Sequence, residues 1–127
     1  MGIGRPWRAK AQTGRQAELA ACRYLEARGL RLRGGNYRCR RGEIDLIMDD
    51  GDVLVFVEVR YRSNCRFGGG VESVDGRKQR KLISAAQHYL QKHPRLASRP
   101  CRFDVVALGP ANRGRPVEWI RNAIEIS

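Results

Sequence analysis

The stretch GEIDLIMDDGDVLVFVEVRYR, residues 42 to 62, decides the fold because it contains two apolar runs joined by a turn. Residues 43 to 48 and 53 to 62 are rich in Val, Ile and Leu, which favour strands. The DDGD between them is a hairpin signal. Six of the chain's 13 acidic residues nevertheless lie in these 21 positions. Carboxylates inside apolar strands require an explanation, because burying an unpaired charge costs free energy.

The turn determines which side chains share a face of the predicted hairpin. Asp50-Gly51 at its centre suits a type I′ turn, whereas Gly51-Asp52 suits type II′. Both registers pair odd positions of the first strand with even positions of the second, so the acids inside the strands collect on one face. The predicted faces are Glu43, Asp45, Glu58 and Arg60 on one side, and Ile44, Leu46, Met48, Val53, Val55, Val57 and Val59 on the other.

Apolar periodicity predicts one helix before the hairpin and another after it. Thr13 would cap the first helix and Gly29 would end it, and the second helix would run from about Asp75 to Lys92. LRLRGGNYRCRR reads as a short strand or an extended link, and CRFDVVAL and VEWIRNAI read as strands. The predicted fold is a single α/β domain over residues 13–127. Its mixed central sheet is flanked by helices in the order α-β-β-β-α-β-β, after a flexible basic arm at residues 1–12.

The chain of 127 residues has a net charge of +12, carried by 21 Arg and 4 Lys. A basic excess of this size indicates a polyanionic partner, and the guanidinium fork matches phosphate oxygens. We therefore predict nucleic acid as the partner, with a merely solubilising charge as the alternative. No run approaches the roughly 20 apolar residues of a membrane span, and the basic N-terminus lacks a signal peptide's apolar segment. A cytoplasmic location without membrane association is the expectation.

The cysteines and histidines offer little chemistry. Cysteines stand at positions 22, 39, 65 and 101, without a C-x-x-C pair and without a His at zinc-like spacing. We expect reduced thiols in place of a zinc site. His88 and His93 lie in or just past the second predicted helix, where a packed or solvated role is expected.

Glu58 is the acid most difficult to explain as a surface residue. Its neighbours in VLVFVEVRY are apolar, so both faces of this strand are predicted to be buried. One explanation is a structural ion pair with Arg60, which lies on the same face. The other is a metal site, because the Asp45 and Glu58 carboxylates offer hard oxygen ligands that suit Mg²⁺ or Mn²⁺. Such an ion can activate a water and stabilise charge on a phosphate.

This arrangement resembles the restriction-endonuclease-like nucleases, the PD-(D/E)xK superfamily. In that superfamily a helix precedes a hairpin bearing an Asp, and Glu-x-Lys follows on the next strand. The matching residues are Asp45 in GEIDLI and Glu58-Val59-Arg60 in VFVEVRYR. The chain is still more similar to the bacterial YraN family, over the blocks GRQAELAACRYLEARG, NYRCRRGEIDLI, VFVEVRYRSNCRFG, RKQRKLISAAQHYL and CRFDVVAL. The resemblance implies a restriction-endonuclease-like core and metal-dependent hydrolysis of DNA phosphodiesters.

The resemblance also implies roles for single residues. Asp45, Glu58 and Arg60 would be catalytic. In the similar archaeal Holliday-junction resolvases a helix Glu completes the acidic site, so Glu18, Asp45 and Glu58 are the implied ligands of Mg²⁺ or Mn²⁺. Arg60 stands where the superfamily usually has Lys, and it cannot act as a base because a guanidinium does not deprotonate in proteins. Lys78 or Lys81, at the start of the second helix, could replace that Lys in space.

The start of the second helix is strongly basic, although cations there oppose the helix dipole. The predicted nucleic-acid contacts are Arg62, Arg77, Lys78, Arg80 and Lys81. The sequence thus predicts a nucleic-acid-binding protein that is a metal-dependent DNA endonuclease, with branched or junction DNA as candidate substrates. The alternatives are a binding module without cleavage on the same fold and an assembly factor with an acidic protein partner. A symmetric homodimer would fit a two-strand substrate, but nothing in the sequence requires one.

Overall fold

The computed structural model describes residues 6–61, 76–109 and 117–124, with side chains from residue 14 onward. It contains two helices and five strands, and their order confirms the predicted α-β-β-β-α-β-β. The elements are α1 (Pro6–Glu26), β1 (Arg31–Cys39), β2 (Gly42–Asp50), β3 (Val53–Tyr61), α2 (Gly76–Lys92), β4 (Cys101–Leu108) and β5 (Val117–Ile124).

The five strands form a mixed sheet in the order β1-β2-β3-β4-β5. β3 and β4 pair in parallel, and the other neighbours are antiparallel. Parallel neighbours need a crossover connection, and α2 lies in the segment that joins β3 to β4. The strand that carries Glu58 is therefore the centre of the sheet, and α2 begins shortly after it in the chain.

One helix covers each face of the sheet. α2 packs over a cluster that includes Phe56 and Phe103, whose rings stack at 5.3 Å. α1 covers the opposite face with small side chains, Ala17 and Ala21, and with the fully buried Leu25. Burying a large apolar side chain contributes about 1.5–3 kcal/mol, so these two apolar layers hold both helices on the sheet.

The hairpin has the predicted parity, because Leu46 lies opposite Val57 and Asp50 lies opposite Val53. The two loop residues are therefore Gly51 and Asp52. A φ of 62° at Gly51, without a positive φ at Asp52, fits the type II′ alternative. A glycine is required at this position because other residues rarely adopt that φ.

Two predicted boundaries differ from the structure. α1 begins at Pro6 and not at Thr13, so residues 6–12 are helical, whereas residues 1–5 of the predicted arm lie outside the described part. Pro is favoured in the first turn of a helix, where its missing N–H costs nothing. The segment after α1, predicted as a short strand or an extended link, forms the nine-residue strand β1. Its pairing with β2 has a register shift between Leu32 and Gly34. Neither described helix has an apolar stretch long enough to cross a membrane.

The prediction for Ile44 is wrong. It was expected on the face of Leu46 and Met48, but it packs in the α2 cluster together with Ile47. Residues 44 and 47 are three positions apart, so the strand loses its alternation between them. The antiparallel pairing of β2 with β3 also ends at Leu46. This irregularity falls at Asp45.

Candidate active site

Asp45 lies on β2 just beyond the point where its pairing with β3 ends. A regular ladder would place Asp45 opposite Glu58, but the pairing ends one residue earlier, at Leu46 and Val57. In its place the Val59 backbone N–H donates a hydrogen bond of 2.8 Å to the Asp45 Oδ2. The side chain thus satisfies a backbone donor that the parted strands leave without a ladder partner. This hydrogen bond holds the Asp45 carboxylate beside the residues that follow Glu58.

Glu58 is a buried carboxylate with two cationic neighbours. It is 5% exposed, and its Oε2 lies 2.7 Å from the Lys78 Nζ and 3.7 Å from the Arg60 Nε. Buried charges are found paired because desolvation is expensive. Lys78 comes from the first turn of α2, so the helix supplies an ammonium group to the strand that carries Arg60. The structure therefore contains the predicted Arg60 ion pair and a second, closer one.

A close approach of α2 to β2 brings Lys78 into reach. A Cβ atom on Gly42 would lie 2.7 Å from the Lys81 carbonyl oxygen. This distance is shorter than real Cβ contacts, so only glycine allows the first turns of α2 to rest on the start of β2. The sequence RRGEI thus contains a packing requirement that positions the helix over the acidic residues.

Burial and neighbouring carboxylates raise the pKa of two acids at this site, Asp45 and Glu18. Burial, and then the neighbouring Glu58 carboxylate, raise the pKa of Asp45 to about 8, against the opposing effect of the Val59 N–H. Glu18 in α1 adds a smaller contribution in the same direction. The pKa of Glu18 is itself raised, mainly by burial, and its side chain interacts with Asn36 and Asp45. The structure therefore brings Glu18, Asp45 and Glu58 into one electrostatic group.

A cleft of about 920 Å³ opens over these acids. The carboxylates of Glu43, Asp45 and Glu58 line it, and Glu43 accepts a hydrogen bond of 3.3 Å from the Arg38 Nε. The cations outnumber the acids two to one, so the cleft combines an acidic floor with a positive rim. The cationic lining consists of Arg38, Arg40, Arg41, Arg77, Lys78 and Lys81.

Three of the five predicted nucleic-acid contacts line this cleft, namely Arg77, Lys78 and Lys81. Arg80 is exposed on α2 but is not part of the lining, and Arg62 lies outside the described residues. Three further arginines of the cleft were not predicted from the sequence: Arg38 near the end of β1, and Arg40 and Arg41 between β1 and β2. The sequence NYRCRRG is dense in Arg and ends in a glycine, which was the available indication. It points to the cleft only when Gly42 is known to pack against α2.

The donor set fits a hard divalent cation in part. Within the described ranges, no three His, Cys, Asp or Glu side chains are gathered into a ready metal cage. Mg²⁺ does not require one, because it keeps several waters and is bound through one or two carboxylates. Asp45 and Glu58 supply two such groups. Burial, and then the Glu58 carboxylate, raise the pKa of Asp45, and a bound cation would favour its ionised form.

Comparisons with known proteins give one consistent result. The family described as "Uncharacterised protein family UPF0102" matches residues 17–108. A UPF0102 protein of Pseudomonas putida strain GB-1 is 50% identical over 94% of this chain and 98% of its own length. One from Stutzerimonas stutzeri is 56% identical over 89% of this chain and 94% of its own length. One from Nitrosococcus oceani is 52% identical over 89% of this chain and 91% of its own length.

Proposed function

This chain belongs to the UPF0102 family, and from its site we propose that it is a nucleic-acid-binding protein and a metal-dependent endonuclease that hydrolyses DNA phosphodiesters. Membership confirms the YraN-like resemblance at the level of the family. The wider PD-(D/E)xK superfamily, the substrate and the cofactor stay predictions. The α/β fold with the expected element order is compatible with them.

One observation carries the proposal: the buried Glu58, the partly buried Asp45 and a lysine meet on the floor of a cleft with a cationic rim. Asp45 and Glu58 interact, and the Lys78 Nζ lies 2.7 Å from Glu58. A polyanion is attracted by the rim but repelled by the acids, unless a cation lies between them. A structural ion pair alone would not need a second carboxylate beside it, since a like charge raises the cost of burial.

Each group in the cleft has a distinct task in the proposed reaction. The rim arginines would bind the phosphates that flank the scissile bond, because a guanidinium matches phosphate oxygens in a bidentate way. Asp45 and Glu58 would hold Mg²⁺ or Mn²⁺, which when bound supplies Lewis-acid stabilisation and a more acidic water. Lys78 and Arg60 would stabilise the charge that builds on the phosphate as water adds and the leaving oxygen departs.

The Lys78 ammonium also favours a second candidate function, binding without cleavage. It already lies 2.7 Å from Glu58, so it provides the positive charge that a metal would otherwise bring. Arg60 cannot serve as a base. A protein with this arrangement would bind nucleic acid through its rim and leave the phosphodiester intact. The two functions differ in whether Lys78 cooperates with a metal or replaces it.

The decisive experiment is a cleavage and binding assay of the purified protein with Mn²⁺ or Mg²⁺. The substrates are single-stranded, duplex, flapped and four-way-junction DNA. We expect cleavage that Asp45→Asn and Glu58→Gln each abolish, while binding is kept or becomes tighter. Each change removes a metal ligand, and Glu58→Gln also removes a charge that repels phosphate when no metal is bound. Glu43→Gln is the matched control, because Glu43 lines the same cleft but pairs with Arg38.

Three results would contradict this proposal in different ways. Binding of all four DNAs without cleavage of any would leave the binding module as the function. Absence of binding at low salt would remove both nucleic-acid functions and favour the acidic protein partner. A loss of cleavage in Glu43→Gln as large as in Asp45→Asn would mean that general cleft charge, and not the Asp45–Glu58 pair, supports the reaction.

A further inference from the structure

A second basic cleft lies at the other end of α2. It has a volume of about 480 Å³ and is lined by Arg33, His93, Pro94, Arg95, Leu96 and Arg99. The acidic cleft borders the first two turns of α2, whereas this one is built from the residues that follow Lys92 and from β1. The two clefts therefore lie at opposite ends of one rigid helix.

Asp49 organises the guanidinium groups of this second cleft. Its carboxylate accepts hydrogen bonds from the Arg33 Nε at 3.1 Å and from the Arg99 Nη1 at 3.1 Å. A guanidinium has five N–H donors, so one shared carboxylate leaves both arginines with donors to spare and the trio with a net positive charge. Arg95 adds a third guanidinium without an ion pair to any described residue. The fixed orientation lowers the entropy cost of binding an anion.

The segment that joins the two clefts carries cations at both of its ends and no acidic residue. Residues 76–100 contain seven Lys or Arg and no Asp or Glu. Cations after a helix C-terminus can simply complement the helix dipole, which accounts for Lys92 and His93. The dipole does not account for Arg33 and Arg99, which lie outside α2, or for the cations of its first turn, which it repels. An anionic partner along the helix accounts for all of them.

We propose that Arg33, Arg95 and Arg99 form a second phosphate-binding pocket, which holds the backbone of the same nucleic acid that enters the acidic cleft. This inference rests on the proposed nucleic-acid binding. At 1.5 Å per residue, α2 from Arg77 to Lys92 spans about 22 Å. Phosphates along one strand of duplex DNA advance about 3.4 Å per base step. The two clefts are thus about seven base steps apart, and a substrate must be at least that long to reach both.

The test measures DNA affinity by fluorescence anisotropy on labelled duplexes of about five and about 15 base pairs, in the range of salt where the slope of log affinity is linear. Arg95→Gln should weaken binding of the long duplex by several-fold, lower the salt slope by about 0.9 and leave the short duplex unaffected. The double variant Arg95→Gln/Arg99→Gln should lower the slope by about 1.8. Arg95 has no ion pair in the described ranges, so its variant should stay folded even if loss of the Arg99 contact destabilises the double variant.

The matched control is Arg28→Gln/Arg121→Gln, which removes the same charge from exposed arginines that stack on Tyr24 and Trp119. Wild-type protein that binds the long duplex, with equal affinities for the Arg95 variants and the control pair, would overturn the second pocket and leave the proposed function intact. An equal loss on both duplex lengths would overturn it too. Arg95-dependent binding of phosphatidylserine vesicles, with duplex binding unchanged, would assign the pocket to a lipid headgroup. A wild type that binds neither duplex would overturn the second pocket, and one that also binds none of the other three DNAs would overturn the proposed function itself.

Discussion

At the scale of single residues, the proton on Asp45 links the site to stability. Burial and the Glu58 charge raise the pKa of Asp45 from 3.8 to about 8. The folded protein therefore holds this proton over a pH range in which the unfolded chain has released it. Unfolding then releases a proton, so stability falls as pH rises from about 4 to about 8. A carboxylate that lowers stability at neutral pH is typical of a functional site.

Asp45→Asn should reverse this effect. Without metal, we expect the variant to be more stable than the wild type at pH 8. The difference in free energy of unfolding should grow by up to about 1.4 kcal/mol per pH unit between pH 5 and pH 8. The amide oxygen can still accept from the Val59 N–H. Urea unfolding at several pH values measures the difference, and Asp52→Asn in the exposed turn is the control. A difference that does not change with pH would show that Asp45 is ionised at neutral pH.

Lys78 and Arg60 can be separated by their effects on kcat and KM. If the protein cleaves DNA, Lys78→Gln should lower kcat by about 10²-fold, because it removes a charge directed at the reacting phosphate. Lys81→Gln, one helical turn further along the same cleft, should mainly raise KM. Arg60→Lys should keep or raise activity and Arg60→Ala should lower it. Equal kcat values for the Lys78 and Lys81 variants would show that Lys78 only contributes to the rim.

At the scale of secondary-structure elements, the contact of α2 with β2 sets the geometry of the cleft. Gly42→Ala should cost about 1–3 kcal/mol of stability, because its Cβ would lie 2.7 Å from the Lys81 carbonyl oxygen and push the helix away. Gly34→Ala is the matched control on the neighbouring strand, since a Cβ there meets nothing within 4 Å. Urea denaturation compares the two. A Gly42 variant as stable as the Gly34 variant would mean that α2 adjusts without cost.

The other buried carboxylate among the described residues, Asp104 on β4, shows the environment of a structural acid in this fold. It is 1% exposed and accepts hydrogen bonds from the Arg102 Nε at 3.0 Å, the Trp119 Nε1 at 2.9 Å and the Asn122 N–H at 2.9 Å. These bonds join β4 to β5 at a register shift, where Asn122 has a φ of 52°. Donors surround Asp104, whereas Asp45 has acidic neighbours.

Asp104→Ala should therefore be strongly destabilising and unrelated to activity. We expect a loss of about 3–5 kcal/mol, because the change leaves the Arg102 guanidinium and two partly buried donors without their shared acceptor. Asp104→Asn should cost less, since its amide oxygen still accepts and Arg102 keeps its ion pair with Asp50 at 2.9 Å. Thermal denaturation measures both. A loss below about 1 kcal/mol for the Ala variant would show that β5 is held by other contacts.

At the scale of the whole molecule, the local patterns were predictable and the long-range contacts were not. The turn residues predicted that odd positions of β2 pair with even positions of β3, and they left two registers open. That much was predictable because turn chemistry depends on neighbouring residues. The departure of Ile44 from that parity depends on α2, whose Lys81 carbonyl rests on Gly42. The 2.7 Å contact of Lys78 with Glu58 joins residues 20 positions apart through helix packing. Sequence periodicity relates only residues of the same helix or strand, so it could not predict this contact between α2 and β3.

Metal binding, if it occurs, should stabilise the whole molecule and do so in a pH-dependent way. A ligand at 100 times its Kd stabilises the native state by about 2.7 kcal/mol, which raises the Tm of a domain of this size by several degrees. Metal must displace the proton from Asp45, whose pKa is about 8. We therefore expect the increase in Tm with Mn²⁺ to be larger at pH 8 than at pH 6.5.

Three variants and a second cation make this expectation specific to the site. Asp45→Asn and Glu58→Gln should each abolish the Mn²⁺-dependent increase in Tm, while Glu43→Gln, a neutralised acid in the same cleft, should retain most of it. Ca²⁺ tests whether the increase in Tm depends on the ligand preference of the cation. Ca²⁺ prefers six to eight oxygen ligands and a larger site than two carboxylates provide. An increase that persists in Asp45→Asn, or that is the same at both pH values, would place the cation elsewhere on the protein and leave Lys78 as the charge that compensates Glu58.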